Sequence, residues 1–248
     1  ITLLYGAQVH AVSQTDEGIS LTVEQNGASR QIIGSHLLVA AGRAPNLDLD
    51  LEAAGVEYTR QGLIVDSRLR TTNKKIFAVG DVTGGAQFTH VASFHAGVVL
   101  RNILFRLPAR TTKQVIPWVT YTDPELAHVG MLESEAREKF GKISVLRWPV
   151  AENDRARAQG DLDGLIKIVS TTKGRILGVQ IVARNAGDLL LPWVMAVARR
   201  EELSTMAGLM APYPTYSELG KRAAGTFFAP ALASRRVKSL VRLLARLG

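Results

Sequence analysis

The 248-residue chain has no cysteine. That excludes disulfides, thiolate metal sites, a Cys nucleophile and a redox dithiol within these residues, and it leaves the compartment open. Long apolar runs are also missing. Nothing approaches the ~20 consecutive residues that a membrane-spanning helix needs, and the opening ITLLYGAQVH lacks a signal peptide's charged and apolar regions. The chain therefore reads as soluble, with a cytoplasmic location expected. No segment repeats at a fixed period, which argues against a solenoid or propeller. No G-x-G-x-x-G occurs, so the turn that cradles a dinucleotide pyrophosphate is absent. His10, His36, His90, His95 and His128 show no metal-ligand spacing, and no metal site is expected. Acidic residues are missing from the C-terminal tail, where Arg235, Arg236, Lys238, Arg242 and Arg246 supply five of the positives behind a net charge of +8. Without them the balance is +3.

What is present suits a packed core: 46% of residues are hydrophobic and 21% charged. Three segments at the start, Ile1–Tyr5, Gln8–Ser13 and Ile19–Gln25, are β-rich and punctuated by Thr15-Asp16-Glu17-Gly18 and Asn26-Gly27, which predicts a small antiparallel meander. Ile32–Ala41 ends in a continuous apolar run before Gly42, as expected of a strand buried on both faces. Ile76–Val79 predicts another buried strand, stopped at Gly80-Asp81. After the Gly84-Gly85 loop, Thr89 to about Arg106 has helical apolar spacing and ends at Leu107-Pro108.

Beyond Thr112 the pattern is α+β, with strands over 115–121, 143–150, 164–170 and 175–182 and helices over 133–140, 186–199 and about 217–228. Three parts are expected: residues 1–111, 112–230, and an amphipathic basic tail, 231–248. In that tail Val237, Leu240, Val241, Leu244 and Leu247 fall at helical spacing. It is a candidate for contact with an anionic membrane surface; no nucleic-acid partner is expected.

A strand ending in Gly-Asp places a carboxylate at a sheet edge, where Gly admits a ligand and Asp accepts hydrogen bonds from sugar or ribityl hydroxyls. The following helix turns its amino end, with its partial positive charge, toward the same spot. The stretch Thr71-Thr72-Asn73-Lys74-Lys75-Ile76-Phe77-Ala78-Val79-Gly80-Asp81, followed by Gln87-Phe88-Thr89-His90, resembles the second flavin-binding motif of the pyridine nucleotide-disulfide oxidoreductases. Leu38–Asn46, with its Gly42-Arg43-Ala44-Pro45-Asn46, resembles that family's exit from the NAD domain. Pro117–Gly130 and Ile176–Val182 resemble parts of its dimerisation domain. Ala211-Pro212-Tyr213-Pro214-Thr215-Tyr216-Ser217-Glu218 resembles its H-x-H-P-T-x-x-E site, with Tyr213 in place of the acid/base His and Glu218 at the same offset.

The resemblance implies an α/β remnant of FAD/NAD(P)-binding domains followed by an α+β dimerisation domain with an antiparallel sheet. It implies FAD and NAD(P)H as cofactors and a homodimer acting on a dithiol, metal or other small-molecule substrate. Cofactor contacts would fall at Gly42, Gly80, Asp81, Gln87, Phe88, Thr89 and His90, and catalytic roles at Tyr213 and Glu218. A phenol near pKa 10 suits hydrogen-bond donation better than proton relay at neutral pH. Tyr at this place resembles the mercuric reductase branch, although the Cys pair near the C-terminus of those enzymes has no counterpart here. The family's redox C-x-x-x-x-C is absent as well. An oxidoreductase is therefore expected of the intact protein and an inactive piece of this chain alone; the alternative is a non-catalytic homodimerisation module of the same ancestry.

Overall fold

The structure is a computed structural model and describes residues 1–111 and 115–245. The expected boundary at 112, together with Arg246 and Leu247 of the tail, lies outside the described residues. By its contacts the chain divides into two units, Ile1–Ala44 and Pro45–Gly248.

The first unit is a meander of β1 (Gln8–Thr15), β2 (Gly18–Gln25) and β3 (Ala28–Gly34), antiparallel in that order. Asn26 and Gly27, both at positive φ, close the β2–β3 hairpin, as a tight two-residue turn between right-twisted strands requires. Two expectations fail in this unit. Ile1–Tyr5 forms no strand, and the ladder of Ile32–Ala41 stops at Gly34, leaving Leu38 89% and Val39 76% exposed. A strand buried on both faces needs paired neighbours and two covering layers, and this three-stranded unit offers neither to residues 36–41.

In the second unit, residues 45–86 fold around Leu51, Val56, Leu63 and Ala78. A two-stranded ribbon, β4 (Tyr58–Thr59) with β5 (Gly62–Leu63), lies in this segment. The strand expected over Ile76–Val79 is instead one bridge, Arg70 to Phe77, inside a turn. Its backbone is consumed locally: Thr71 N–H donates to Ile76 O, and Ala78 N–H to Leu69 O. Asp66 fixes the turn by accepting from the Arg68 and Arg70 amides and from the Arg70 guanidinium. A short 3₁₀ turn, Gly80–Thr83, then leads to α1 (Thr89–Ile103).

The main body is a five-stranded antiparallel sheet in the order β6-β7-β10-β9-β8, comprising β6 (Trp118–Thr120), β7 (Glu125–Gly130), β8 (Ile143–Pro149), β9 (Leu165–Thr171) and β10 (Ile176–Ala183). Side chains alternate between the faces with the period-2 pleat. Val129, Val179 and Ile168 form one row across three strands, and Ala127, Ile181 and Ile166 the next. All six are at most 1% exposed, so each of the larger ones contributes about 1.5–3 kcal/mol of burial. This face is covered by α4 (Ala186–Arg199), α5 (Leu203–Gly208) and α6 (Glu218–Gly225), through Leu190, Trp193, Leu203, Met206, Leu219 and Ala223. On the opposite face α2 (Glu133–Phe140) sets Ala136 against Val169 and Leu177. A short helix, α3 (Asp154–Gln159), follows β8, and two more, α7 (Ala229–Leu232) and α8 (Arg235–Leu244), end the described chain. The sheet and the α+β pattern match the sequence expectation; β7, α3 and α5 are additions to it.

Candidate functional site

Two places carry the residues singled out by sequence. The first runs from Gly80 to the start of α1. Gly80 has φ 73°, and a Cβ there would lie 3.0 Å from the Ala92 Cβ, so this backbone meets the helix as only glycine allows. Its N–H donates to His95 Nδ1 at 3.2 Å, which puts the proton of the neutral imidazole on Nε2. Burial pushes the His95 pKa down, and the ring is held neutral. Thr83 closes the turn by donating to Gly80 O at 2.8 Å.

The first turn of the 3₁₀ segment carries Asp81, half-buried, and α1 starts at Thr89 with no side-chain cap. His90 Nε2 donates to Pro117 O at 2.8 Å while its ring stacks on Phe88 at 5.2 Å. An open cavity of about 930 Å³ adjoins this start, walled by Leu63, Thr83, Gly85, His90, Phe94 and His95. Of the predicted cofactor residues, only His90 lines it; Gly80, Asp81, Gln87, Phe88 and Thr89 stand in the adjoining chain. Gly42 has φ 92° and belongs to the first unit.

The second place is the turn before α6. Tyr213 is 68% exposed, and its hydroxyl donates to Asp154 Oδ2 at 3.1 Å. That hydrogen bond and the carboxylate's charge raise the Tyr213 pKa, because ionising the phenol would place two anions side by side. Tyr213 is thus a neutral donor at physiological pH. Glu218 opens α6, with its side chain 14% exposed and Oε1 3.9 Å from Arg222 Nη2 one turn on. The same guanidinium nitrogen is 4.0 Å from Asp154 Oδ2, so Arg222 lies between the two carboxylates.

The turn is anchored from α3. Asn153, 1% exposed, donates from Nδ2 to Thr215 O at 3.0 Å, while its Oδ1 accepts from Ala156 N–H and caps α3. Tyr216 donates to Asp161 Oδ2 at 2.8 Å, and Asp161 also accepts from Arg184. Asp154, Asn153 and Asp161 were not singled out by the sequence motifs. Nothing local marks them, since their partners lie 55 to 62 residues away.

An acceptor carboxylate, Asp81, beside a glycine turn and a helix start without a side-chain cap suits a polyol chain and an electron-rich ring edge. Among the described residues no hydrogen bond or ion pair engages the Asp81 carboxylate, so these residues fit a flavin of the kind the sequence implied.

The Gly80–Thr83 turn leading into α1, followed by an antiparallel sheet and a Tyr-Pro turn, is an arrangement shared with a flavoprotein disulfide reductase of known structure. Residues 116–224 match the family described as pyridine nucleotide-disulphide oxidoreductase, dimerisation domain, and residues 1–96 match that described as pyridine nucleotide-disulphide oxidoreductase. The chain belongs to the pyridine nucleotide-disulphide oxidoreductases, whose members use FAD and NAD(P)H. It is 37% identical over 230 residues to a mercuric reductase of Bacillus cereus, covering 92% of this chain and 36% of that one. It is 33% identical to a dihydrolipoyl dehydrogenase of Geobacillus stearothermophilus, covering 90% and 48%. Among solved structures, LpdA from Mycobacterium tuberculosis superposes with a TM-score of 0.80 at 28% identity, covering 89% of this chain and 48% of that one. The HOCl-induced flavoprotein disulfide reductase RclA from Escherichia coli gives 0.78 at 29%, covering 88% and 50%. The chain spans half or less of the length of these proteins.

Proposed function

We propose that this chain supplies the flavin-contacting segment, the dimer interface and a Tyr/Glu site to an FAD-dependent NAD(P)H oxidoreductase of the disulfide-reductase kind. FAD, when bound, carries electrons from NAD(P)H to a dithiol. In this reading Asp81 accepts hydrogen bonds from the ribityl hydroxyls, residues 87–90 border the ring edge, and Gly42 belongs to the exit from the nicotinamide domain. Tyr213 donates a hydrogen bond to a thiolate, a metal substrate or another small molecule at the partner subunit's dithiol, with Glu218 behind it. A cytoplasmic location goes with it, since a working dithiol needs reducing surroundings.

The observation that carries this reading is the Tyr213 hydroxyl, exposed yet fixed on Asp154, in a segment whose sequence resembles the family's H-x-H-P-T-x-x-E site. Two measurements on the natural protein test it: the flavin absorption bands, and NAD(P)H turnover of Tyr213→Phe. A flavin spectrum with turnover lowered about 10- to 100-fold is expected for loss of one positioned donor. Absence of flavin, or unchanged turnover, overturns it.

A second reading, a homodimerisation module without catalysis, is favoured by the exposed apolar residues Leu191, Met195 and Met210. It requires a dimer that survives dilution and binds no flavin.

A further inference from the structure

The basic end of the chain belongs to neither the flavin segment nor the Tyr213 turn. Beyond Glu218 the sequence has no acidic residue, yet it carries Lys221, Arg222 and the five positives of the tail. α8 is set off from the body by its own start signal, with Ser234 accepting from Val237 N–H at 3.3 Å. At about 100° per residue, Val237, Leu240, Val241, Leu243 and Leu244 fall within an arc of roughly 160°, and Arg235, Lys238 and Arg242 within about 60° on the opposite side.

The apolar arc does not fold back onto the sheet. Leu240, Val241, Leu243 and Leu244 are each more than half exposed, and none joins the hydrophobic clusters of the described residues. Water is a poor neighbour for four adjacent aliphatic side chains, so this face needs a cover. The ten residues of α8 rise about 15 Å, half the ~30 Å of a hydrocarbon layer, too short for these residues to span it. No helix among the described residues is long and apolar enough to cross a membrane.

We propose that α8 is an interfacial anchor that lays the protein on an anionic lipid surface, with its aliphatic arc in the acyl boundary and Arg235, Lys238 and Arg242 at the headgroups. Charge complementarity selects this occupant. Pairing with a second copy through the arc would cover the aliphatic side chains but leave Arg235, Lys238 and Arg242, on the far side, with no acidic residue of the segment to face them. A purely electrostatic nucleic-acid contact would leave the aliphatic arc in water. The inference does not depend on the flavin reading.

The test is flotation of the full chain with phosphatidylcholine vesicles, with and without about 30 mol % phosphatidylglycerol, at about 0.1 M and about 0.5 M salt. The expected result is co-flotation with anionic vesicles at low salt, at least about tenfold weaker with neutral vesicles and released at high salt. Leu240→Ser with Leu244→Ser, and separately Arg235→Gln with Lys238→Gln and Arg242→Gln, should each reduce flotation about tenfold with the parent's thermal midpoint retained, because these side chains support no core. The proposal is overturned by absence of flotation, or by flotation that both variants preserve. It is also overturned if the serine variant only abolishes self-association, which assigns the face to a second copy, or if duplex DNA is bound and vesicles are not.

Discussion

Tyr213 and Asp154 are the pair on which the candidate chemistry turns. The carboxylate keeps the phenol protonated, so removing its charge should let the phenol ionise more easily. Asp154→Asn is therefore expected to move the Tyr213 titration back down toward 10, read from the ultraviolet pH difference between Asp154→Asn and the same protein carrying Tyr213→Phe. An unmoved titration would mean that the 3.1 Å contact is not held in solution. Asn153 plays a mechanical part. It is buried and serves two backbone groups at once, the α3 cap and Thr215 O, so Asn153→Ala should cost about 1–3 kcal/mol in urea unfolding. That variant should also loosen the Tyr213 turn, seen as faster proteolysis near residue 214.

At the scale of elements, α6 is pressed close to α4. A Cβ on Gly220 would stand 2.8 Å from Trp193 Cζ2 and 3.1 Å from its Nε1, and Trp193 is 3% exposed. Gly220→Ala should therefore destabilise by about 1–3 kcal/mol, despite alanine's higher helix propensity, measured by thermal or urea unfolding. Stabilisation would show that the α4–α6 packing yields. The boundaries of α4 were legible in the sequence because apolar periodicity runs its length, and those of α2 because Glu133 and Glu135 open it and Gly141 closes it. α3 was not, because its sequence DRARAQ has no apolar stripe and depends on the Asn153 cap. β7 was not either, because ELAHVG owes its strand state to lying between β6 and β10 rather than to its own β propensity. The opposite error arose at Ile76–Val79 and residues 36–41, where apolar runs have no ladder to join.

For the whole molecule, stability against acid should fall in two steps. Burial lowers the His95 and His128 pKa values, so as pH drops below the ordinary value near 6.5 the unfolded chain takes up protons that the folded one refuses. The stability present above that pH is then lost. Hydrogen bonds from Lys167 and then Arg137 lower Glu133 to about 2, so its contribution is complete above its usual 4.5 and disappears as pH falls toward 2. In urea midpoints measured across pH, His95→Gln should flatten the limb between pH 7 and 5 and Glu133→Gln the limb below 4.5. Unchanged limbs would show that other groups carry the acid sensitivity. The sequence by itself determined the antiparallel body and the amphipathic end, and it singled out the Gly80-Asp81 and Tyr213–Glu218 segments by resemblance, because periodicity, turn chemistry and motif order are local properties. Only the tertiary structure decided that Asp154 holds Tyr213, that Asn153 anchors its turn, that His95 receives the Gly80 amide and that the α8 arc stays exposed. Each of these depends on which distant surfaces meet and which find no partner, and no stretch of sequence encodes that alone.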